Sequence, residues 1–358
     1  MKTKVLIVDE ASQLRTQLQE VINTQPDMEV VGATFDPVRV KEMLQSRRAD
    51  VLILDVAMPK MDGLDFLEKL MRLDPAPVVI ASSHTKRSSD IVFRALEAGA
   101  FDFVIKPAPD NLQGVAEYGK NIIDQIRWAA RVKLNRGLAL GIPKSHNADV
   151  VLAALSNAII TAEKMIIVGA STGGTEAIKE FLIRLPVNCP GILVTQHMPE
   201  TFTKSFADRL DSLCKITVKE AKSNERILPG HAYIAPGHSH LLLKRSGLNY
   251  MTELSQGPPV NRHKPSVDVL FRSAANSAGK NAIGVILTGM GKDGALGLRE
   301  MKQAGAYTFA QDEATCVVYG MPKEAVAVGG VDEIVALPDM AKAVMSRLAM
   351  MGVFAVKA

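Results

Sequence analysis

Cysteine is scarce in this sequence: three in 358 residues, at positions 189, 214 and 316. An odd number at wide spacing fits neither a disulfide framework nor a zinc knuckle. Aromatic residues are also few, 5% of the chain with a single tryptophan, and the lysines and arginines are dispersed rather than clustered. Both features argue against a nucleic-acid surface. Long hydrophobic runs are missing as well. The most apolar stretch outside the strand-like segments, residues 150–160, contains Ser156 and Asn157. That is far short of the ~20 apolar residues a membrane span needs. The N-terminal stretch MKTKVLIVDEASQ reaches acids at once. It has neither the apolar core nor the small-residue cleavage site of a secretory signal. The expectation is a cytoplasmic protein that neither inserts into a membrane nor binds nucleic acid.

What is present suits a globular chain: 47% hydrophobic and 22% charged residues, with length enough for two domains. The net charge of +4 is unevenly spread. Residues 1–125 hold 15 Lys/Arg against 19 Asp/Glu, residues 126–164 hold 6 against 2, and residues 165–358 hold 21 against 17. An acidic front and a basic back can attract each other, or the back can favour an acidic partner. In the first segment, apolar runs at 5–8, 30–32, 51–54, 78–81 and 103–105 alternate with helix-like stretches. That alternation marks a parallel sheet covered by helices on both faces. Residues 126–164 turn polar and Gly/Pro-punctuated and read as a linker, helical at its start and again over 149–162. A second α/β pattern begins at Met165 and continues through runs at 192–195, 232–234, 283–287 and 307–310. The fold class is α/β, with two doubly wound parallel-sheet domains at 1–125 and 165–352.

In such sheets chemistry gathers at the carboxyl ends of strands. Here those ends carry Asp9-Glu10, Asp55, Ser82-Ser83 and Lys106-Pro107. Converging acids would repel unless a cation sat among them, and Mg²⁺, with oxygen ligands and retained waters, is the natural one. An aspartate in that cage can accept a phosphoryl group, because metal and ammonium offset the charge being transferred. Each acid alone reads more simply as a solvated loop residue; the set, each at a strand end, points to a site. This half resembles a response-regulator receiver domain, flavodoxin-like in fold, through the segments VDE, LDVAMPKMDG, ASS and FDFVIKP. The resemblance implies Asp55 as the phosphorylated residue, Asp9 and Glu10 as the acidic pair, Ser82 and Lys106 as supports, and Phe103 as the aromatic switch. It also implies Mg²⁺ held by Asp9, Asp55 and the backbone carbonyl of Ala57, and a histidine kinase as phosphodonor. Glu10 departs from the commoner Asp-Asp pair; its extra methylene moves the carboxylate by ~1.5 Å.

The second half turns on GASTGG, residues 169–174, set between an apolar run and a helix-like segment. Such a turn either cradles a nucleotide phosphate or raises a serine nucleophile. A dinucleotide site expects G-x-G-x-x-G and, about 20 residues on, an acid for the ribose. Position 171 is Ser, and the next strand ends in Gln196-His197. The Gly-Lys-Ser/Thr of a P-loop is absent too. A serine nucleophile needs a base and a group to orient that base. His197 and Asp293, the latter in TGMGKDG, are the candidates, with His231, His238, His240 and His263 as competing bases. The string HAYIAPGHSH also admits a metal reading. It is weakened because His238 and His240 would share a strand face with no carboxylate or cysteine nearby. Glycines at 289, 291 and 294 let backbone N–H groups approach a developing oxyanion.

Residues 165 to about 350 resemble the catalytic domain of the chemotaxis protein-glutamate methylesterase family, CheB. The segments that carry it are GASTGGTEAI, TQHMP, YIAPGHSHL, NRHKPSVDVLF, ILTGMGKDG and AQDEATCVVYGMPKEA. The resemblance implies a Rossmann-like serine esterase with Ser171 as nucleophile, His197 as base and Asp293 as orienting acid. It further implies the backbone N–H of Met290 in the oxyanion hole; Thr172 is an added candidate donor. The implied substrates are glutamate γ-methyl esters on methylated chemoreceptors, with glutamine deamidation as a second activity. Hydrolysis needs no cofactor, and Mg²⁺ serves only receiver phosphorylation. The receiver is expected to inhibit the catalytic half until Asp55 is phosphorylated. Two other classes stay open: a phosphorylation-controlled binding protein with an inactive hydrolase scaffold, and a DNA-binding regulator. The latter expects a basic C-terminal recognition helix, and VVYGMPKEAVAVGGVDEIVALPDMAKAVMSRL is a poor match.

Overall fold

The computed structural model describes residues 2–36, 39–40, 42–43, 49–56, 58, 63–73, 76–82, 86–107, 112–132, 148, 151–152 and 163–352. The chain divides into two compact units, Met1–Leu140 and Gly141–Ala358. In the first, strands β1 (Thr3–Val8), β2 (Met28–Thr34), β3 (Val51–Asp55), β4 (Val78–Ser82) and β5 (Asp102–Ile105) form one sheet in the order β2-β1-β3-β4-β5. All four pairings are parallel. Helices α1 (Ser12–Asn23), α2 (Gly63–Leu73), α3 (Lys86–Glu97) and α4 (Leu112–Val132) follow β1, β3, β4 and β5. Every residue of β3 and β4 is buried. That is why these strands read as unbroken apolar runs: a parallel sheet covered on both sides has no solvent face. The order is the flavodoxin-like doubly wound one, with its switch point between β1 and β3.

Helix α4 runs through position 125 and ends at Val132. The helix expected over 149–162 lies outside the described residues except for Val151 and Leu152, as does Ala57. Those two residues and Ala148 pack against Leu242, Val260 and Val269 of the second unit. The guanidinium of Arg272 donates to the Leu152 carbonyl at 3.1 Å. The far end of the segment read as a linker is therefore built into the second unit.

That unit holds β6 (Met165–Ala170), β7 (Gly191–Gln196), β8 (Thr217–Glu220), β9 (His231–Ile234), β10 (His240–Ser246), β11 (Asn249–Ser255), β12 (Ala282–Ile286), β13 (Tyr307–Gln311) and β14 (Glu333–Val335). Seven of them make a parallel sheet in the order β14-β13-β12-β6-β7-β9-β8. The first strand of this unit, β6, lies at its centre, paired with β7 on one side and β12 on the other. The crevice where ligands bind in such sheets opens there, at the carboxyl ends of β6 and β12. Helices α5 (Gly174–Leu182), α6 (Glu200–Leu213), α7 (Val267–Ser277), α8 (Ala295–Gln303), α9 (Met321–Ala327) and α10 (Leu337–Met350) complete it. The antiparallel ribbon β10-β11 is an addition to the doubly wound plan. Neither it nor β8 and β14 was marked by the sequence pattern. Strand β14 is only three residues long and mostly exposed. No helix among the described residues is long and apolar enough to cross a membrane.

Helix α7 packs directly on the central strand. A Cβ at Gly169 in β6 would lie 2.1 Å from Cγ1 of Val267. Gly169→Ala is expected to destabilise this unit by about 1–3 kcal/mol through overpacking, read as a lower denaturant midpoint for its unfolding.

Candidate active site

Ser171 stands one residue past β6, where the chain turns sharply into α5. Gly173 makes the turn with a left-handed φ of 74°, which glycine adopts without a steric cost. The Gly174 N–H closes it on the Ser171 carbonyl at 2.7 Å. Neighbouring strand ends hold the elbow. The Ser171 N–H donates to the Thr288 carbonyl at 3.0 Å. Gln196 Nε2 donates to the Ser171 carbonyl at 2.9 Å, and Thr288 Oγ1 to the Thr172 carbonyl at 3.0 Å. A Cβ at Gly289 would lie 2.9 Å from the Ser171 Cβ, so only glycine permits this approach.

His197 follows β7 and Asp293 follows β12, which brings both to the same sheet edge as Ser171. His197 Nδ1 lies 3.0 Å from Ser171 Oγ, and Nε2 lies 2.8 Å from Asp293 Oδ2. With Asp293 ionised, the ring proton sits on Nε2, and Nδ1 is left to accept from the serine hydroxyl. Asp293 is 1% exposed, and four further donors close on it. The Val267 N–H reaches Oδ2 at 2.6 Å. Asn261 Nδ2 at 2.7 Å, Ser266 Oγ at 2.8 Å and the Asp268 N–H at 3.2 Å reach Oδ1. Val267 and Asp268 open α7, so the Asp293 carboxylate occupies that helix's N-terminus and satisfies its unpaired N–H groups. Burial alone would raise the Asp293 pKa. The hydrogen bond from His197, then the charge that imidazole carries when protonated, outweigh burial and hold it below the usual carboxylate range.

A second layer supports this line. Asn261 Nδ2 also donates to Asp268 Oδ2 at 2.7 Å, and Asp268 Oδ1 accepts from the Gly297 N–H at 2.7 Å. Burial, then the negative charge of Asp293, pushes the Asp268 pKa up. The Ser266 N–H donates to His240 Nδ1 at 3.1 Å, and His240 Nε2 donates to the Pro258 carbonyl at 3.0 Å. Burial lowers the His240 pKa, consistent with the neutral tautomer those two bonds require. Asn261, Ser266 and Asp268 were not singled out from the sequence, although all lie in NRHKPSVDVLF. Polar side chains placed just ahead of a helix start were the available signal. Of the other histidines, His231 Nδ1 lies 2.9 Å from the Pro229 carbonyl and His238 Nδ1 lies 2.6 Å from Ser239 Oγ. His238 also precedes β10, which begins at His240, so the two do not share a strand face as expected. The backbone N–H groups of Thr172 and Met290 donate to no carbonyl among the described residues.

The first unit gathers its own charged cluster at the carboxyl ends of β1, β3 and β5. Lys106 Nζ lies 2.5 Å from Asp55 Oδ2 and 2.6 Å from Asp9 Oδ2. Asp9 Oδ1 accepts from the Ala11 N–H at 2.9 Å. Burial raises the Asp9 pKa against the opposing charge of Lys106. The Lys106 N–H donates to the carbonyl of buried Ser82 at 2.7 Å. Phe103 is half-buried on β5, and Glu10 is exposed. Two buried carboxylates that share a single ammonium keep acceptor capacity to spare, which suits a hard divalent cation. Among the described residues no three His, Cys, Asp or Glu side chains converge on one point. The remaining ligands would therefore be carbonyl and water oxygens, as Mg²⁺ prefers.

The three cysteines are held in their neutral thiol form. Burial pushes the thiol pKa values up, to about 11 at Cys189 and Cys214 and to about 12 at Cys316. The thiolate is the reactive form, so at pH 8 the folded protein should alkylate with iodoacetamide far more slowly than the unfolded chain, which mass spectrometry of the labelled cysteines checks.

A family model described as CheB methylesterase matches residues 166–344, and one described as response regulator receiver domain matches residues 5–117. The protein-glutamate methylesterase/protein-glutamine glutaminase of Methylobacillus flagellatus is 62% identical over 349 residues, 98% of each chain. That of Thiobacillus denitrificans is 60% identical over 357 residues, again 98% of each chain. The crystal structure of the Thermotoga maritima CheB methylesterase catalytic domain is 40% identical with a TM-score of 0.51, covering 52% of this chain and 99% of that one. The geometry at the central strand and these likenesses over nearly the whole length lead to one conclusion: the chain belongs to the CheB methylesterase family, with a response-regulator receiver ahead of the esterase.

Proposed function

We propose that this protein hydrolyses glutamate γ-methyl esters on cytoplasmic chemoreceptor helices, under the control of phosphorylation at Asp55. The observation that carries the reading is the unbroken hydrogen-bond line from Ser171 through His197 to Asp293 at the sheet's switch point. Ser171 Oγ attacks the ester carbonyl while His197 Nδ1 takes its proton. The imidazolium that forms keeps its Nε2–H on the ionised, fixed Asp293. Backbone N–H groups of Met290 and Thr172 are the proposed donors to the oxyanion. The tetrahedral intermediate expels methoxide, which leaves as methanol with the His197 proton. Water then attacks the acyl-enzyme with His197 as base, regenerating the serine and freeing the glutamate carboxylate. On a primary amide the same steps release ammonia, so glutamine deamidation is the proposed second activity, in line with the names of the relatives.

The proposed organisation is a receiver at 1–125, a linker at 126–164 and a catalytic domain at 165–352. In the receiver Asp55 accepts a phosphoryl group from a histidine kinase, with Lys106, Ser82 and Phe103 in supporting and switching roles. Asp9, Asp55 and the Ala57 carbonyl would hold Mg²⁺, with Glu10 acting through water. When bound, the ion offsets the charge on the transferring phosphoryl group. The unphosphorylated receiver restrains the esterase, and phosphorylation shifts the population towards the active form.

Ser171→Ala should lower methanol release from methylated receptor membranes by about 10⁴-fold or more, and Asp293→Asn by about 10⁴-fold. A Ser171→Ala chain that released methanol at the unaltered rate would falsify the nucleophile assignment. Phosphoryl uptake from acetyl phosphate, followed on phosphate-affinity gels, should require Mg²⁺ and vanish in Asp55→Asn. Deleting residues 1–125 should raise basal demethylation, and an unchanged rate would contradict restraint by the receiver.

A further inference from the structure

Beside the base stands a second imidazole. The ring of His263 lies face to face with that of His197, centroids 3.7 Å apart and planes within 6°. The His263 ring makes no hydrogen bond to a described residue. Its backbone is rigidly held: the Val260 N–H donates to the His263 carbonyl at 3.0 Å, and the His263 N–H to the Val260 carbonyl at 2.8 Å. The two residues between them, Asn261 and Arg262, are both left-handed, with φ of 50° and 71°. That is the pairing of a tight two-residue turn, which favours glycine or asparagine. Non-glycine residues persist there only where the surroundings hold them, and such positions cluster at functional sites. This turn aims two side chains at one machine: the Asn261 amide onto the Asp293 carboxylate, and the His263 ring onto His197.

We propose that His263 is a positioning residue for the esterase reaction, its ring holding the plane of His197 and offering a π-face to the imidazolium that forms when Ser171 gives up its proton. The inference rests on the reading of Ser171 and His197 in the preceding section. A cation over an aromatic face is stabilised, most of all where water is excluded, and the cation here exists only after proton transfer. The contribution therefore belongs to the reaction and not to substrate binding, and it falls on kcat. The role requires His263 itself to be neutral, because a second positive ring at this distance would oppose the first. The charged groups facing it are His197, Asp293 and Arg262. Burial, then His197 and Arg262 against Asp293, holds its pKa down to about 3.

The test compares full-length proteins with phenylalanine and leucine at this position, measured by methanol release from methylated receptor membranes. Phenylalanine keeps a flat π-face; leucine keeps bulk without one. His263→Phe is expected to retain kcat within about three-fold, and His263→Leu to lose about ten-fold in kcat with KM within two-fold. Equal kcat values for the two variants overturn the proposal. Ser171→Ala, run alongside, separates the readings: if it is inactive while His263→Leu matches the unaltered enzyme, only the stacking role fails. Histidine NMR on the unaltered protein gives a check independent of variant folding. His263 should stay neutral down to about pH 5, and titration of its ring between pH 5 and 8 overturns the proposal.

Discussion

The carboxylate of Asp293 at the N-terminus of α7 is the contact on which the catalytic half is organised. One buried group satisfies the first N–H groups of a helix, takes the hydroxyl of Ser266 and the amide of Asn261, and faces the ring of His197. Removing its charge would leave several buried donors without a partner, and an unpaired buried donor costs about 1–3 kcal/mol. Helix placement and base orientation are thus one problem with one solution. The same carboxylate that accepts from the His197 ring also holds the first turn of α7, which packs on the central strand where Gly169 admits Val267.

The two halves use the same architecture for different chemistry. In each, strands buried on both faces deliver short loops to one edge of a parallel sheet, and reactive groups stand where the winding direction reverses. In the receiver the edge collects negative charge around a lysine, an arrangement that waits for a cation and a phosphoryl group. In the esterase the edge collects a hydroxyl, an imidazole and one shielded carboxylate, joined by hydrogen bonds. Difference in function comes from a few side chains and from how each is desolvated.

Much of this was legible in the chain. Unbroken apolar runs located the central strands, because full burial leaves a simple pattern. Ser171, His197 and Asp293 could be nominated from their positions at strand ends, yet nothing in the spacing chose His197 over four other histidines. Sheet order, which no spacing records, is what brings His197 to Ser171 by placing β7 beside β6, whereas His231 opens β9 and His240 opens β10. A strand was expected around His240, but its antiparallel pairing with β11 was not, because HLLLKRS carries a short apolar run that suits a helix or a strand equally. Asn261, Ser266 and Asp268 were hidden for a different reason. Their importance lies in contacts to a residue some 25 to 32 positions away, and single-sequence periodicity records only local neighbours.

The left-handed pair Asn261-Arg262 has an evolutionary consequence. Glycine at Asn261 would relieve the backbone, but it would also strip a hydrogen bond from each of two buried carboxylates, a loss of about 1–3 kcal/mol. The strain at this turn is therefore held in place by the stability of the fold as well as by the site beside it. Durability and speed resist the same substitution.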